Sequence, residues 1–281
     1  MADLRHLLYT DFDGNALDNP APLIGRGLVD DRHLDRVPGL GAIVADPSAS
    51  PFDRLYACLA LTAWGEERGY EAVVAAAGPA PSPWHGLPEA PPPSHGPLHA
   101  PSPSHGPFRD PPPSWHSSLR APFGLVAAQV GVSDTMAERK GTEAARLAAL
   151  RALVRVADRE DFGDQLGAAI FTGPPATVAR DVVTAARRGL RRLERRPWPS
   201  FELPCQLVDI LEPLVEVDEP TALALVAEIL RHDNSPRTLG YVAFLVATGT
   251  TPAAEALAAH VVAVGGPAIG EQLAAARARL R

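Results

Sequence analysis

Lysine is almost absent from this chain of 281 residues, which holds the single lysine Lys140 against 25 arginines. The imbalance indicates GC-rich coding and a bacterial source. Cysteine is also scarce, because only Cys58 and Cys205 occur, far apart and outside any metal-binding spacing. A disulfide framework and a cysteine-based metal site are therefore not indicated. The net charge of −7 argues against general nucleic-acid binding and against a basic membrane-surface protein.

The chain also lacks a long uninterrupted apolar run. The N-terminus carries Asp3 and Asp11 and no apolar stretch long enough for a signal peptide. The longest membrane candidate, Leu239–Thr248, is about half of the roughly 20 residues that a spanning helix needs. We therefore expect a cytoplasmic protein. Hydrophobic residues make up 46% of the chain, which is enough for one large folded domain or two small ones.

Residues 1–50 are rich in Asp, Gly and Pro, and we expect them to form an irregular N-terminal arm. Their short apolar pieces, His6–Tyr9 and Ala42–Val44, are compatible with strands or extended segments. Ser50–Pro51 is a typical helix start, because Ser caps well and Pro fits the first turn. Apolar residues then recur at helical spacing, so residues 51–78 are predicted to form the first helix pair of a helical domain.

Residues 79–118 are of low complexity and contain a tandem ten-residue repeat, seen in PPPSHGPLHA and PSPSHGPFRD. Such a segment cannot build a packed core, so we expect a disordered or polyproline II loop. The insert holds five histidines. Those ten residues apart would lie roughly 30 Å apart in polyproline II, which argues against a shared metal ion. Helical pattern resumes afterwards, and residues 119–281 are predicted to be the main helical domain. The histidines of the insert are His85, His95, His99, His105 and His116.

Prolines punctuate the C-terminal third at intervals of 16, 16, 16 and 15 residues, and each one opens a helical apolar pattern. Short helices joined by tight turns pack antiparallel. Pairs of them at a period near 32 resemble the helical hairpins of HEAT-like α-solenoids, over about residues 204–281. The predicted fold is all-α, an array of short antiparallel helix pairs that is either solenoid-like or an irregular bundle. The prolines are Pro204, Pro220, Pro236, Pro252 and Pro267.

The segment LLYTDFDGN at residues 7–15 resembles the first motif of haloacid-dehalogenase-type phosphotransferases. The resemblance implies that Asp11 is a nucleophile, Asp13 a general acid/base, and Mg²⁺ a cofactor. However, Asn15 stands where that motif has Thr or Ser, and the chain lacks the alternating α/β pattern of the family. An Asp-Gly turn explains the same residues.

The segment VAAQVGVSDTMAER at residues 126–139 resembles the helix-turn-helix of bacterial repressors. The resemblance implies a DNA-binding regulator whose second helix, with Arg139, enters the major groove. Asp134 and Glu138 would then face phosphate. A helical hairpin without a role in DNA binding explains the same pattern.

An arginine cluster follows on the predicted helix that spans residues 179–196. Like charges four residues apart repel each other, which suggests a counter-charge. Residues 202–233 supply one candidate, with eight acids against Arg231. Internal pairing or a solvated face competes with a docking patch for an acidic partner. The candidate partner-binding residues on this helix are Arg187, Arg188, Arg191, Arg192, Arg195 and Arg196.

Acidic residues supply a second candidate surface, near Asp30, Asp31 and Asp35 and again from Glu216 to Glu219. These acids would suit a basic partner protein. No serine triad, phosphate loop or metal motif occurs, and we assign no catalytic residue, metal or cofactor. The sequence therefore predicts a protein–protein interaction module or adaptor, of the immunity type in one version. The DNA-binding regulator and the metal-dependent phosphotransferase are the alternatives.

Overall fold

The computed structural model describes residues 4–78, 82–84, 87, 121–195, 199 and 201–280. Helices hold 74% of them, against roughly a third in an average globular protein, and no strand occurs among them beyond one isolated bridge pair. The fold is therefore all-α, which confirms the prediction from the sequence. The predicted disordered loop at 79–118 lies almost wholly outside the described residues.

The N-terminal arm is built from short helical pieces and not from strands. Leu8 is the buried residue of the first piece, and Leu40 and Ile43, three residues apart, are buried in the last. The prediction of strands or extended segments at His6–Tyr9 and Ala42–Val44 is wrong, because short apolar runs do not distinguish the two structures. The pieces are α1 (His6–Tyr9), α2 (Ala21–Arg26), a 3₁₀ turn (Asp31–Arg36) and α3 (Val37–Ala45).

The first helix pair consists of α4 (Pro51–Ala63) and α5 (Glu67–Ala76). Ser50 caps α4 as the sequence predicts, since its hydroxyl accepts from the Asp53 backbone N–H at 3.0 Å. The two helices cross closely at Gly69, where an added Cβ would lie 2.5 Å from the backbone nitrogen of Thr62.

Nine further helices follow within the described part of the chain. Ser235 and Thr251 cap two of them, because each side chain accepts a backbone N–H three residues on, at 3.4 and 3.3 Å. Pro220 and Pro267 come just after kinks at Asp218 and Gly266, where the backbone is not helical and two helices run together, so each lies at the start of the second of the two. Asp218 caps its helix, because its carboxylate accepts from the Thr221 backbone N–H at 3.2 Å. The nine are α6 (Pro122–Val132), α7 (Asp134–Lys140), α8 (Glu143–Val156), α9 (Gln165–Phe171), α10 (Pro175–Leu193), α11 (Leu203–Leu211), α12 (Val215–His232), α13 (Pro236–Thr248) and α14 (Pro252–Arg279).

The helices from α4 onward form two rows, defined by which helices pack against each other. One row runs α4, α6, α9, α11 and α13, and the other runs α5, α8, α10, α12 and α14, with each helix packed on the next of its row. α8 and α10 point the same way, because Arg151 of α8 pairs with Asp181 in the first half of α10, whereas Asp158, just after α8, pairs with Arg192 near the end of α10. Successive helices from α4 onward alternate between the rows, apart from the short α7, which belongs to neither.

Long polar side chains close the ends of the helices. Arg146 on α8 donates to the carbonyls of Val130 and Gly131 at the end of α6, at 2.7 and 3.2 Å. Gln206 on α11 donates to the carbonyl of Glu160, just after α8, at 2.9 Å and accepts from the Phe162 backbone N–H at 2.7 Å. The Arg146 bonds satisfy carbonyls at a helix end, and the Gln206 bonds satisfy backbone groups of the connection between α8 and α9.

α14 is the longest of the described helices, at 28 residues. Among the described residues it is the one helix long and apolar enough to cross a membrane by length and composition, and 22% of its most apolar window is buried. The prediction that Leu239–Thr248 is the longest such stretch is wrong, because the apolar window of α14 is 18 residues long. That window crosses the kink at Gly266, where the backbone is not helical.

The crossing of α4 and α5 gives a stability prediction. Gly69→Ala should lower the free energy of unfolding by about 1–3 kcal/mol, because the new methyl group meets backbone atoms that cannot move independently. Gly25→Ala in α2 is the matched control, since its added Cβ meets nothing within 4 Å, and we expect it to be neutral or stabilising by up to about 1 kcal/mol. Urea unfolding followed by circular dichroism measures both, and equal effects would contradict the prediction.

Candidate interaction surfaces

The arginine cluster lies on α10, where it divides into two rows with different surroundings. Arg188 and Arg192 lie beside α8. The carboxylate of Asp158, which is 4% exposed, accepts from Nε and Nη2 of Arg188 at 3.1 and 3.0 Å and from Nε of Arg192 at 2.7 Å. The counter-charge for these two arginines therefore comes from the end of α8. Residues 202–233, the source considered from the sequence, do not supply it.

The second set of arginines faces solvent. Arg187, Arg191 and Arg195 follow each other at four-residue spacing, so they share one face, and all three are exposed. None of them makes an ion pair with another described residue. We call these three residues the arginine row. Arg180 is exposed about two turns earlier on the same helix, and Arg196 lies outside the described residues.

Asp158, which pairs with Arg188 and Arg192, gives a second stability prediction. Asp158→Asn should lower the free energy of unfolding by about 1–3 kcal/mol, because it removes a nearly buried anion that two arginines share. Asp181→Asn is the matched control. It breaks one ion pair, with the half-exposed Arg151, and should cost at most about 1 kcal/mol. Thermal unfolding compares the two variants, and a larger loss for Asp181→Asn would contradict the assignment.

The acidic candidates near residue 30 differ in their surroundings. Asp30 begins the 3₁₀ turn, and its carboxylate accepts from both the backbone and the guanidinium of Arg32. The hydrogen bond from the Arg32 side chain lowers the pKa of Asp30 to about 2. Asp31 and Asp35 are exposed. Asp30 is therefore occupied inside the arm, and Asp31 and Asp35 remain available at the surface.

Asp11 lies in a turn and not at the end of a strand. Its carboxylate accepts from the backbone and side chain of Asn15, from the backbone of Asp13 and from Arg26, and the side-chain bond from Asn15 is the largest cause that lowers the pKa of Asp11 to about 2. Asp13 pairs with Arg26 and Arg32. These contacts match the Asp-Gly turn, and the all-α fold gives the phosphotransferase hypothesis no scaffold.

The helix-turn-helix-like segment occupies α6 and α7. Ala127 and Gly131 are buried, as the motif requires. However, α7 has only seven residues, and Asp134 at its start pairs with Arg146. Lys140 at its end bonds Glu66, just before α5. The exposed residues of α7 include Asp134 and Glu138 against Arg139, so this helix presents no basic face to a groove.

Two buried carboxyl groups, Asp209 on α11 and Glu212 just after it, were not predicted from the sequence. Asp209 accepts from the Gly167 backbone N–H at 2.8 Å, and burial raises its pKa well above the ordinary value. Glu212 is almost buried, and its side chain makes no hydrogen bond or ion pair with another described residue. Burial, with the charge of Glu216, raises the pKa of Glu212 to about 8. The sequence gives no signal for either group, because the long apolar stretch around them belongs to a helix that is buried on all sides.

These raised pKa values predict that the chain loses stability as the pH rises. The folded state holds a proton on Glu212 from the ordinary pKa of 4.5 up to about 8, where the unfolded chain has released it. The free energy of unfolding should therefore fall across this window, by up to about 1.4 kcal/mol per pH unit for each such group. Chemical unfolding at a series of pH values measures the slope.

Glu212→Gln should reduce that slope and should be more stable than the parent chain near pH 8. Glu228→Gln, which removes a half-exposed glutamate of α12 that pairs with Arg231, is the matched control and should keep the parental slope. A parental stability that stays level or rises across the window would show that Glu212 is not held in its neutral form.

The two cysteines and the possible metal ligands are the remaining candidates for chemistry. Burial raises the pKa of both Cys58 and Cys205 to about 12, so neither is a reactive thiolate at neutral pH. Within the described ranges no group of three His, Cys, Asp or Glu residues is placed to hold a metal ion. The histidine candidates of the repeat insert lie outside those ranges. No family model, curated protein or solved structure matches this chain.

Proposed function

We propose that this chain is a protein-binding module of the adaptor type, which holds an acidic segment of one partner protein on the arginine row of α10. A single observation supports the proposal. Arg187, Arg191 and Arg195 share an exposed face without a counter-charge among the described residues, whereas the neighbouring Arg188 and Arg192 are neutralised by Asp158. Mutual repulsion along the row is relieved when a partner supplies the missing anions.

The spacing of the row fits a protein ligand. Four residues of α-helix rise about 6 Å, so the three guanidinium groups repeat at that interval. Glutamates at every fourth position of a partner helix repeat at the same interval, and alternate residues of an extended segment come close to it. Guanidinium also binds carboxylate through two parallel hydrogen bonds, which adds geometric selection to the charge attraction.

The overall charge favours an acidic protein segment over duplex DNA. The net charge of −7 repels a polyphosphate, and three arginines neutralise only a small part of a duplex site. A short acidic segment can pair with the row without approaching the acidic remainder of the chain. The version with a basic partner has less support, because Arg32 already occupies Asp30.

The two-row arrangement supplies a scaffold for such a role. Contacts between neighbours in a row recur at sequence separations of 30 for Arg151 and Asp181, 33 for Cys205 and Thr238, and 32 for Glu219 and Thr251. These recurrences support a HEAT-like helical repeat, and repeats of this kind present extended faces to partners. A cytoplasmic location remains a prediction from the sequence.

The binding test uses a labelled helical peptide of repeated Glu-Ala-Ala-Ala units, with a Gln-Ala-Ala-Ala peptide as its uncharged counterpart. The triple variant Arg187→Gln, Arg191→Gln, Arg195→Gln should bind the acidic peptide at least about tenfold more weakly than the parent, because it removes the whole row. The matched control carries Arg68→Gln, Arg139→Gln and Arg231→Gln, three exposed arginines elsewhere, and has the same net charge. Fluorescence anisotropy at low and physiological salt measures both.

The proposal is contradicted if the two triple variants lose equal affinity, because net charge alone would then explain binding. It is also contradicted if the parent binds a short DNA duplex more tightly than the acidic peptide, which would favour the regulator hypothesis. Binding that is insensitive to salt would exclude the electrostatic contribution.

A further inference from the structure

A second group of exposed arginines lies at the end of α8, beside the arginine row of α10. Arg155 is in the last turn of α8 and Arg159 follows just beyond it, and both are exposed. The side chain of Arg155 makes no hydrogen bond or ion pair with another described residue. Arg159 donates to the carbonyls of Ala77 and Gly78, which carry no net charge to offset its own. We call Arg155 and Arg159 the α8-end arginines.

The packing of the two helices brings the α8-end arginines next to the row. α8 and α10 pack side by side and point the same way, and Asp158 bonds Arg188 and Arg192 across their contact. Arg188 also donates from Nη2 to the backbone carbonyl of Arg155. The end of α8 is therefore level with the half of α10 that carries the arginine row.

The arginine row also slants towards α8. Arg188 marks the side of α10 that faces α8, because it bonds Asp158 there. An α-helix turns by about 100° per residue. Arg187 therefore leaves α10 about 100° from Arg188, whereas Arg195, seven residues after Arg188, leaves it only about 20° away. Each step along the row thus turns the next side chain further towards α8.

The acidic side chains near this surface are already paired or point away from it. Asp158 and Asp181 bond arginines of α8 and α10. Glu160 and Asp161, which follow the end of α8, also have partners. Glu194 is exposed, but it leaves α10 on the side of the row that is away from α8. The uncompensated positive charge therefore extends from the arginine row to the α8-end arginines.

We propose that the acidic segment of the partner is a helix that lies along the groove between α8 and α10 and contacts both sets of arginines. Packed helices lie about 8–10 Å apart, so a third helix placed over the two reaches both. One stripe of its acids pairs with the arginine row, and the adjacent stripe pairs with Arg155 and Arg159. This inference rests on the proposed function, because it extends the same site.

The arrangement defines the chemistry of the partner helix. Its glutamates or aspartates occupy two adjacent stripes, at positions i and i+1 of a four-residue repeat, because neighbouring residues lie about 100° apart around a helix. Acids at positions i and i+2 lie on nearly opposite faces, so only one of their stripes contacts the site. The site therefore distinguishes two acidic helices of identical composition and charge.

Three labelled peptides of equal length test the inference on the intact chain. Repeats of Glu-Ala-Ala-Ala carry one stripe, repeats of Glu-Glu-Ala-Ala carry two adjacent stripes, and repeats of Glu-Ala-Glu-Ala carry two opposite stripes. Fluorescence anisotropy at low salt measures their affinities, and circular dichroism verifies that all three are helical. The adjacent-stripe peptide should bind at least about fivefold more tightly than the opposite-stripe peptide, because it alone engages both sets of arginines.

Arg155→Gln separates the two parts of the site. Its side chain bonds no other described residue, so the change removes a charge and no internal contact. Binding of the adjacent-stripe peptide should weaken about threefold. Binding of the one-stripe peptide should weaken no more than it does in Arg139→Gln, the matched control, which removes an exposed arginine of α7.

Equal affinity for the adjacent-stripe and opposite-stripe peptides overturns this inference, and so does an Arg155→Gln chain that loses affinity equally for all three peptides. If the one-stripe peptide still depends on the arginine row in either case, the proposed function stands alone. Absence of binding to every acidic peptide overturns both. Tighter binding of single-stranded RNA than of the adjacent-stripe peptide, weakened by Arg155→Gln, would assign the surface to nucleic acid.

Discussion

The structure depends on how its short helices satisfy their C-terminal carbonyl groups. The last carbonyls of a helix have no partner within it, and most of these helices end without a left-handed glycine to turn the chain back. Side chains from elsewhere in the fold bond these carbonyls. Arg36 reaches Leu7 and Thr10, Arg146 reaches Val130 and Gly131, and Gln206 reaches Ala157 and Glu160. Each such bond fixes one helix end against another element, so capping and tertiary packing are one interaction.

This constraint gives the excess of arginine a physical role that composition alone does not reveal. One guanidinium offers five donors in a plane and can bridge two carbonyls at once, which a lysine ammonium does with less directional control. Arg159 does this at the end of α5, where it reaches the carbonyls of Ala77 and Gly78. Coding bias would explain why arginine outnumbers lysine. The carbonyl bonds at helix ends explain why some of these arginines stand where they do.

The sequence predicts the local level of this fold well, because that level depends on residues close together. Ser50, Ser235 and Thr251 cap helices as their types predict. The pairing of Arg188 with Asp158 was not predictable, since it depends on which helices become neighbours in a row. The neutral state of Glu212 was not predictable either, because it follows from burial on a helix whose sequence resembles an ordinary core segment. The candidate interaction surfaces were predicted from residue types alone, and only the fold separates paired charges such as Asp30 from unpaired ones such as Asp31.

The packing of α10 bears on the proposed binding of an acidic partner. Asp158 holds Arg188 and Arg192 on one side of α10, so the backbone that carries Arg187, Arg191 and Arg195 is fixed by neighbours on its other faces. A partner of the proposed kind would therefore meet three charges whose spacing is set before it arrives, and only the side-chain torsions would remain to be ordered. Repulsion within the row is tolerated because the buried face of α10, with Val178, Val182 and Leu190, stabilises the helix by more than three exposed like charges destabilise it. An exposed charge row of this kind persists where packing elsewhere maintains the helix.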